Sequence, residues 1–249
     1  MNIFEVNVAG YKNTVRNFCS QDFSIYKKYE NYIVCAIADG HSSNRFKYSH
    51  IGSKLACEAV LKVVEGYLID DNVDLLIENF KKEKIQLEIK YKWRDMVYED
   101  FYKKNYKAYK LDYIQYGTTL SFALLLKEYI VFFNLGDGGI LIKKDENYEH
   151  VFKNNNYKIV NSLAQNRCEE KMQYKILKPD ENFQIVMFSD GFINSFDSYD
   201  KFKLELDKVF KILKKNVFAG INLKNTYIKY LTKLSKYGSL DDISVIFIY

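Results

Sequence analysis

Four apolar runs in this chain each meet an acidic residue in a short turn, and this pattern narrows the folds open to it. Residues 32–38 run into Asp39-Gly40-His41, and residues 129–135 into Gly136-Asp137-Gly138-Gly139. Residues 185–188 run into Ser189-Asp190-Gly191, while Asp241-Asp242 stands directly before residues 243–248. Short apolar runs rich in β-branched and aromatic residues, bounded by turn formers, read as buried strands. Carboxylates delivered at the ends of such strands gather hard oxygen ligands around one point. Left unpaired, the same carboxylates would be costly to bury. The pattern predicts a carboxylate-bound metal centre.

Between these strands the periodicity turns helical. Ile51, Leu55, Ala59 and Val63 recur at four-residue spacing, so residues 51–67 read as an amphipathic helix. Residues 74–107 read as one or two further helices, and 199–215 and 223–236 as two more. Residues 118–126 and 129–135 read as a hairpin joined at Lys127-Glu128, with 140–143, 183–188 and 243–249 as later strands. The polar, Asn-rich stretch 144–180 has little periodicity and reads as a functional flap. No linker or repeat interrupts the chain, so residues 1–249 are read as a single α+β domain.

Several function classes are disfavoured. No apolar run approaches the length of about 18 residues that a membrane span needs. The N-terminus lacks a basic segment followed by an apolar one, so a cytoplasmic protein is expected. The net charge of +5 resides largely in Lys-rich helical faces such as 81–92 and 201–215. These read as solvated surfaces, with no basic stripe or motif for nucleic acid. Cys19, Cys35, Cys57 and Cys168 have no CxxC spacing and are expected as free thiols. With His41, His50 and His150 as the only histidines, a His-rich metal site is not expected.

In order, the signals are Cys19-Ser20-Gln21-Asp22, Asp39-Gly40-His41, Gly117-Thr118-Thr119, Gly136-Asp137-Gly138, Ser189-Asp190-Gly191 and Asp241-Asp242-Ile243. Any one could be a plain turn; six in this order resemble the PPM-type (protein phosphatase 2C) metal-dependent Ser/Thr phosphatases, in their divergent bacterial branch. The resemblance spans nearly the whole chain. It implies an αββα four-layer sandwich, two antiparallel sheets packed face to face with flanking helices. It also implies two Mn²⁺ or Mg²⁺ ions, with a weaker third. Carried onto this sequence, Asp39 would bridge both ions and the Gly40 carbonyl would ligate one. Asp190 and Asp241 would complete the other shell, Asp22 would orient metal-held water, and Asp137 would serve the third ion. His41 matches the family's proposed general acid and is expected to have a suitable pKa. Two such ions about 4 Å apart neutralise a phosphate and acidify a shared water. The implied partners are phosphoserine or phosphothreonine proteins and a cognate Ser/Thr kinase.

The chain departs from the family pattern at several positions. The usual phosphate-holding Arg position is Asn17, with Arg16 one residue earlier, so Arg16, Lys12 and Arg45 are all candidates to hold substrate phosphate. Asn194 stands where an acid is common, and Asp242 where Asn is usual. These departures motivate an alternative, a catalytically weak pseudophosphatase acting as a regulatory binding module. A hydrolase of small phosphorylated metabolites is a third reading.

Overall fold

The apolar runs lack an apolar–polar alternation because both faces of each strand are covered. In chain order the elements are β1 (Ile3–Val8), α1 (Tyr11–Val15), β2 (Phe23–Lys28), β3 (Ile33–Ala38), α2 (Ser49–Leu68), α3 (Val73–Lys81), α4 (Lys84–Lys104), β4 (Leu120–Leu125) and β5 (Ile130–Leu135). They continue as β6 (Gly139–Lys144), β7 (Asn147–His150), β8 (Gln173–Leu177), β9 (Gln184–Phe188), α5 (Asp190–Ile193), α6 (Tyr199–Leu213), α7 (Ala219–Tyr237) and β10 (Ile243–Ile248). Short 3₁₀ turns cover Tyr113–Tyr116 and Cys168–Lys171. This computed structural model describes residues 1–70, 72–104, 110–152, 161–179, 184–216 and 218–249.

Two five-stranded antiparallel sheets result, ordered β1-β10-β9-β6-β7 and β2-β3-β4-β5-β8. In β3, Ile33, Cys35 and Ile37 join Phe132 of β5, Met187 of β9 and Ile246 of β10 in a core between the sheets. The alternate residues Val34, Ala36 and Ala38 pack outward with Ala56 of α2, Leu76 of α3 and Trp93 of α4. On the other sheet, Val186, Val245 and Phe247 pack outward with Leu206 of α6 and Leu231 of α7. Helix, sheet, sheet and helix layers enclose three cores, which is the expected αββα sandwich. Each strand divides its residues by the period-two geometry of a pleated ribbon.

Register carries the acidic turns to one end of both sheets. Phe23 pairs with Ala38, and Leu120 with Leu135, so Asp22, Asp39, Thr119 and Gly136 leave their strands together. Gly139 pairs with Phe188, which pairs with Val245, so Asp137, Asp190 and Asp241-Asp242 cluster at the matching end of the other sheet. The chain crosses from β5 in one sheet to β6 in the other through Gly136, whose φ of +125° suits a residue without a Cβ.

Some elements differ from expectation. Residues 144–180 are not simply a flap. β7 forms a hairpin with β6, and β8 is an edge strand on β5, while the stretch 153–160 and residue 180 lie outside the described residues. The helical stretch 74–107 is two helices separated at Lys82 and Glu83, with Glu83 at φ +58°. Its last three residues also fall outside the described set, as does residue 183, expected to open a strand. All four cysteines are free thiols, three of them buried. None of the described helices is long and apolar enough to cross a membrane.

Candidate active site

The converging turns enclose a cavity of about 150 Å³ lined by Asp39, Gly40, His41, Ser42, Thr119, Asp137, Asp190 and Asp241. Asp39 is fixed by its backbone. Its N–H donates to Thr119 Oγ1 at 2.9 Å, and its carbonyl accepts from the Thr119 N–H at 2.9 Å and Thr118 Oγ1 at 3.0 Å. Gly40 continues the pairing as a bridge to Thr118, with its N–H on the Gln21 carbonyl at 3.1 Å. A Cβ there would stand 2.6 Å from that carbonyl oxygen, so the close approach requires glycine. Asp190 opens α5 after the Ser189 cap, and Asp137 sits between Gly136 and Gly138.

The electrostatics are those of crowded like charges. Burial first, and then the charge of Asp22, Asp190, Asp137 and Asp241, hold the Asp39 carboxyl well above the usual carboxylate range. Burial and Asp241 raise Asp190, which shares a hydrogen bond with Asp39. Burial and Asp190 push Asp137 up to about 6. Behind them Asp22 is raised by burial and by Asp242, and its Oδ2 is a buried oxygen without a hydrogen-bond partner among the described residues. Among the described residues one cation answers this charge at close range. Lys12 Nζ lies 2.6 Å from Asp241 Oδ1 and 3.3 Å from Ser42 Oγ.

Hard carboxylate oxygens crowded around a small cavity, with the orphaned Asp22 oxygen behind them, are a donor set suited to divalent cations such as Mn²⁺ or Mg²⁺. Among the described residues no three acidic, imidazole or thiol groups already stand as a closed ion-binding group. Asp241 pairs instead with Lys12, and Asp190 Oδ2 accepts from Asn194 Nδ2 at 3.2 Å. Each ties down a carboxylate oxygen that a cation would otherwise attract.

Other sequence candidates fall differently. Arg16 caps the end of α1 and is exposed, whereas Lys12 on the same helix contacts two residues of the cavity wall, Asp241 and Ser42. Arg45 is exposed and lines an adjoining pocket with His41 and Ser42. The His41 ring lies edge-on to Phe46 at 4.8 Å, and burial lowers its pKa to about 4. The expectation of a suitable pKa for the acid role is therefore revised downward: burial favours the neutral imidazole of His41.

Asp242, which stands where the family usually has Asn, is a structural hub. Its carboxylate accepts from the Gly10 N–H at 2.5 Å, the Gln21 N–H at 2.7 Å and Asn13 Nδ2 at 3.0 and 2.9 Å. Ser42 and Thr119 complete the cavity wall beside the acids. The Gly-Thr-Thr motif carries the signal for Thr119, and Lys12 is one of the three basic candidates the sequence offers; its pairing with Asp241 and the partners of Asp242 have no local signal.

Comparison with known proteins accords with this geometry. A family model for protein phosphatase 2C matches residues 9–226. The S. agalactiae serine/threonine phosphatase is 17% identical, with a TM-score of 0.63 and coverage of 100% of this chain and 98% of that one. The Mycobacterium tuberculosis serine/threonine phosphatase PstP is 13% identical, with a TM-score of 0.61 and coverage of 99% and 97%. The catalytic domain of PstP, solved with two manganese ions, gives 13% identity, a TM-score of 0.62 and coverage of 99% and 96%. At these identities the likenesses show the fold alone. No curated protein sequence matches the chain. With its family model covering residues 9–226 and its two facing sheets, the chain belongs to the protein phosphatase 2C family.

Proposed function

We propose that this protein is a metal-dependent protein serine/threonine phosphatase hydrolysing phosphomonoesters at the cavity between the sheet ends. The observation that carries the reading is the meeting of Asp39, Asp137, Asp190 and Asp241 around one cavity. Asp39, the Gly40 carbonyl, Asp190 and Asp241 would hold a pair of Mn²⁺ or Mg²⁺ ions, and Asp137 a weaker third. When bound, such ions supply charge neutralisation for the phosphate and an acidified water.

The chain's own residues have further tasks. Asp22, buried behind the cavity, orients water there through its orphaned oxygen. Lys12 is the cation best placed to meet a substrate phosphate, since it stands at the cavity on Ser42 and Asp241, while Arg16 is exposed outside the cavity lining. His41, held neutral and half-buried at the rim, offers an imidazole N–H to the departing serine or threonine oxygen. A phosphoprotein substrate and an opposing kinase are the implied partners, and residues 1–249 are taken to act as one domain.

The test is Mn²⁺-dependent hydrolysis of p-nitrophenyl phosphate by the protein and by Asp39→Asn and Asp190→Asn. Loss of turnover in both variants, with unfolding curves retained, is expected; unchanged turnover in either one defeats the assignment. A second reading, a pseudophosphatase binding module, is favoured by the Lys12–Asp241 ion pair and by Asn194 in place of an acid. Calorimetric Mn²⁺ titration beside the assay separates the two: metal binding without turnover selects the module.

A further inference from the structure

The acidic cavity opens sideways rather than ending at its rim. His41 and Ser42 are also walls of a second pocket of about 440 Å³, which has Arg45 on its edge and Phe46, Ile114 and Ala164 among its apolar sides. Ile114, Ala164 and Gln165 are shared in turn with a third basin of about 1000 Å³. Shared walls thus set the three spaces side by side in a line leading away from the carboxylates, which together are called the groove below.

Charge reverses along it. The inner end is lined by four aspartates. The outer pockets carry five basic side chains, Arg45, Arg94, Lys110, Arg167 and Lys171, against Asp112 and Glu170. Both acids are already engaged. Asp112 Oδ1 accepts from the Ile114 N–H at 3.0 Å, and Glu170 pairs with Arg167 at 2.6 Å. Arg94 stacks over Tyr113 with its guanidinium 4.3 Å from the ring centre, which holds it in place. Lys110, Lys171 and Arg45 are exposed and have no ion pair among the described residues.

We infer that this groove seats the flank of a phosphoprotein substrate, an extended segment bearing acidic residues some way from the phosphorylated serine or threonine. The inference rests on the phosphatase reading above. The phosphorylated residue lies at the carboxylate end, the adjoining backbone crosses Phe46 and Ile114, and the acidic side chains meet Arg94, Lys110 and Lys171. Charge complementarity of this kind selects among partners and falls with salt.

The test compares phosphoserine peptides with Asp/Glu flanks on the N-terminal side, on the C-terminal side, or with Ser/Ala flanks. The full chain and a Lys110→Glu/Lys171→Glu double variant are assayed with Mn²⁺, with p-nitrophenyl phosphate as the flankless control. One acid-flanked peptide should exceed the neutral peptide in kcat/KM by roughly tenfold, mainly through KM. The double variant should erase that preference and leave p-nitrophenyl phosphate turnover unchanged. A fluorescent acid-flanked peptide should bind the Asp39→Asn protein in anisotropy titrations and be released at high salt. This arm reads the groove even if hydrolysis itself fails. Equal handling of acidic and neutral flanks, an undiminished preference in the double variant, or displacement of the peptide by an unrelated RNA oligonucleotide at equal concentration would each overturn the inference.

Discussion

Neighbouring acids at the start of β10 should answer substitution in opposite ways. Asp242 holds two main-chain N–H groups and the buried Asn13 amide. Replacing it with Ala leaves three donors unmet at about 1–3 kcal/mol each, so Asp242→Ala should cost about 4 kcal/mol after partial relaxation. Relief of its repulsion on Asp22 returns only part of this. Asp241, by contrast, has a side chain 37% exposed, bonded to Lys12 and to the Asp242 N–H at 2.9 Å. A half-exposed ion pair and one hydrogen bond, set against relieved crowding, amount to about 1 kcal/mol for Asp241→Ala. Urea unfolding in chelator measures both, and a loss of 4 kcal/mol corresponds to a midpoint lower by about 1.5 M. Adding Mn²⁺ should then stabilise the Asp242→Ala protein and fail to stabilise the Asp241→Ala protein. Equal destabilisation by the two substitutions would refute the division of a structural acid from a cavity acid.

Other predictions follow from the same geometry. His41 has its folded-state pKa depressed, so the associated stability is whole above the ordinary value near 6.5 and is lost as pH falls through about 4. In chelator, His41→Asn should lose about 3 kcal/mol less than the parent over that window, read from urea midpoints at either end; parallel curves would contradict it. His41→Ala should slow phosphopeptide hydrolysis at least tenfold more than hydrolysis of p-nitrophenyl phosphate, whose leaving group needs little help from a hydrogen-bond donor. Equal losses on both substrates would remove His41 from that task. Lys12→Met frees Asp241 from its ion pair and should tighten Mn²⁺ binding several-fold by calorimetry while raising KM for phosphopeptide; unchanged or weaker metal binding would show that the ammonium does not compete for the carboxylate.

Much of the fold was legible in the strands that carry the acidic turns, because β3, β5, β9 and β10 are buried on both faces and so appear as unbroken apolar runs. β1 and β2 were invisible for the opposite reason. They are edge strands, with β1 covered on alternate residues and β2 ending in exposed lysines, so neither offers a continuous apolar signal. β8 was lost because its polar residues sit at the outer edge of its sheet within an Asn-rich stretch. At the site, acids announced themselves by position at strand ends. The partners of those acids did not, since Lys12 reaches Asp241 and Asn13 reaches Asp242 across more than two hundred residues of chain. Local pattern has no access to such pairings, nor to the burial that neutralises His41.

The aspartates come from two separate sheets, so their spacing is set by whatever keeps those sheets apart. Phe132, Met187 and Ile246 fill that gap, and they behave as the shim between two jaws. Trimming or thickening this filling, far from any charged group, would reset the bite at the open end. The breadth of the jaw, and with it the distance between the aspartates of the two sheets, is thus written in hydrocarbon.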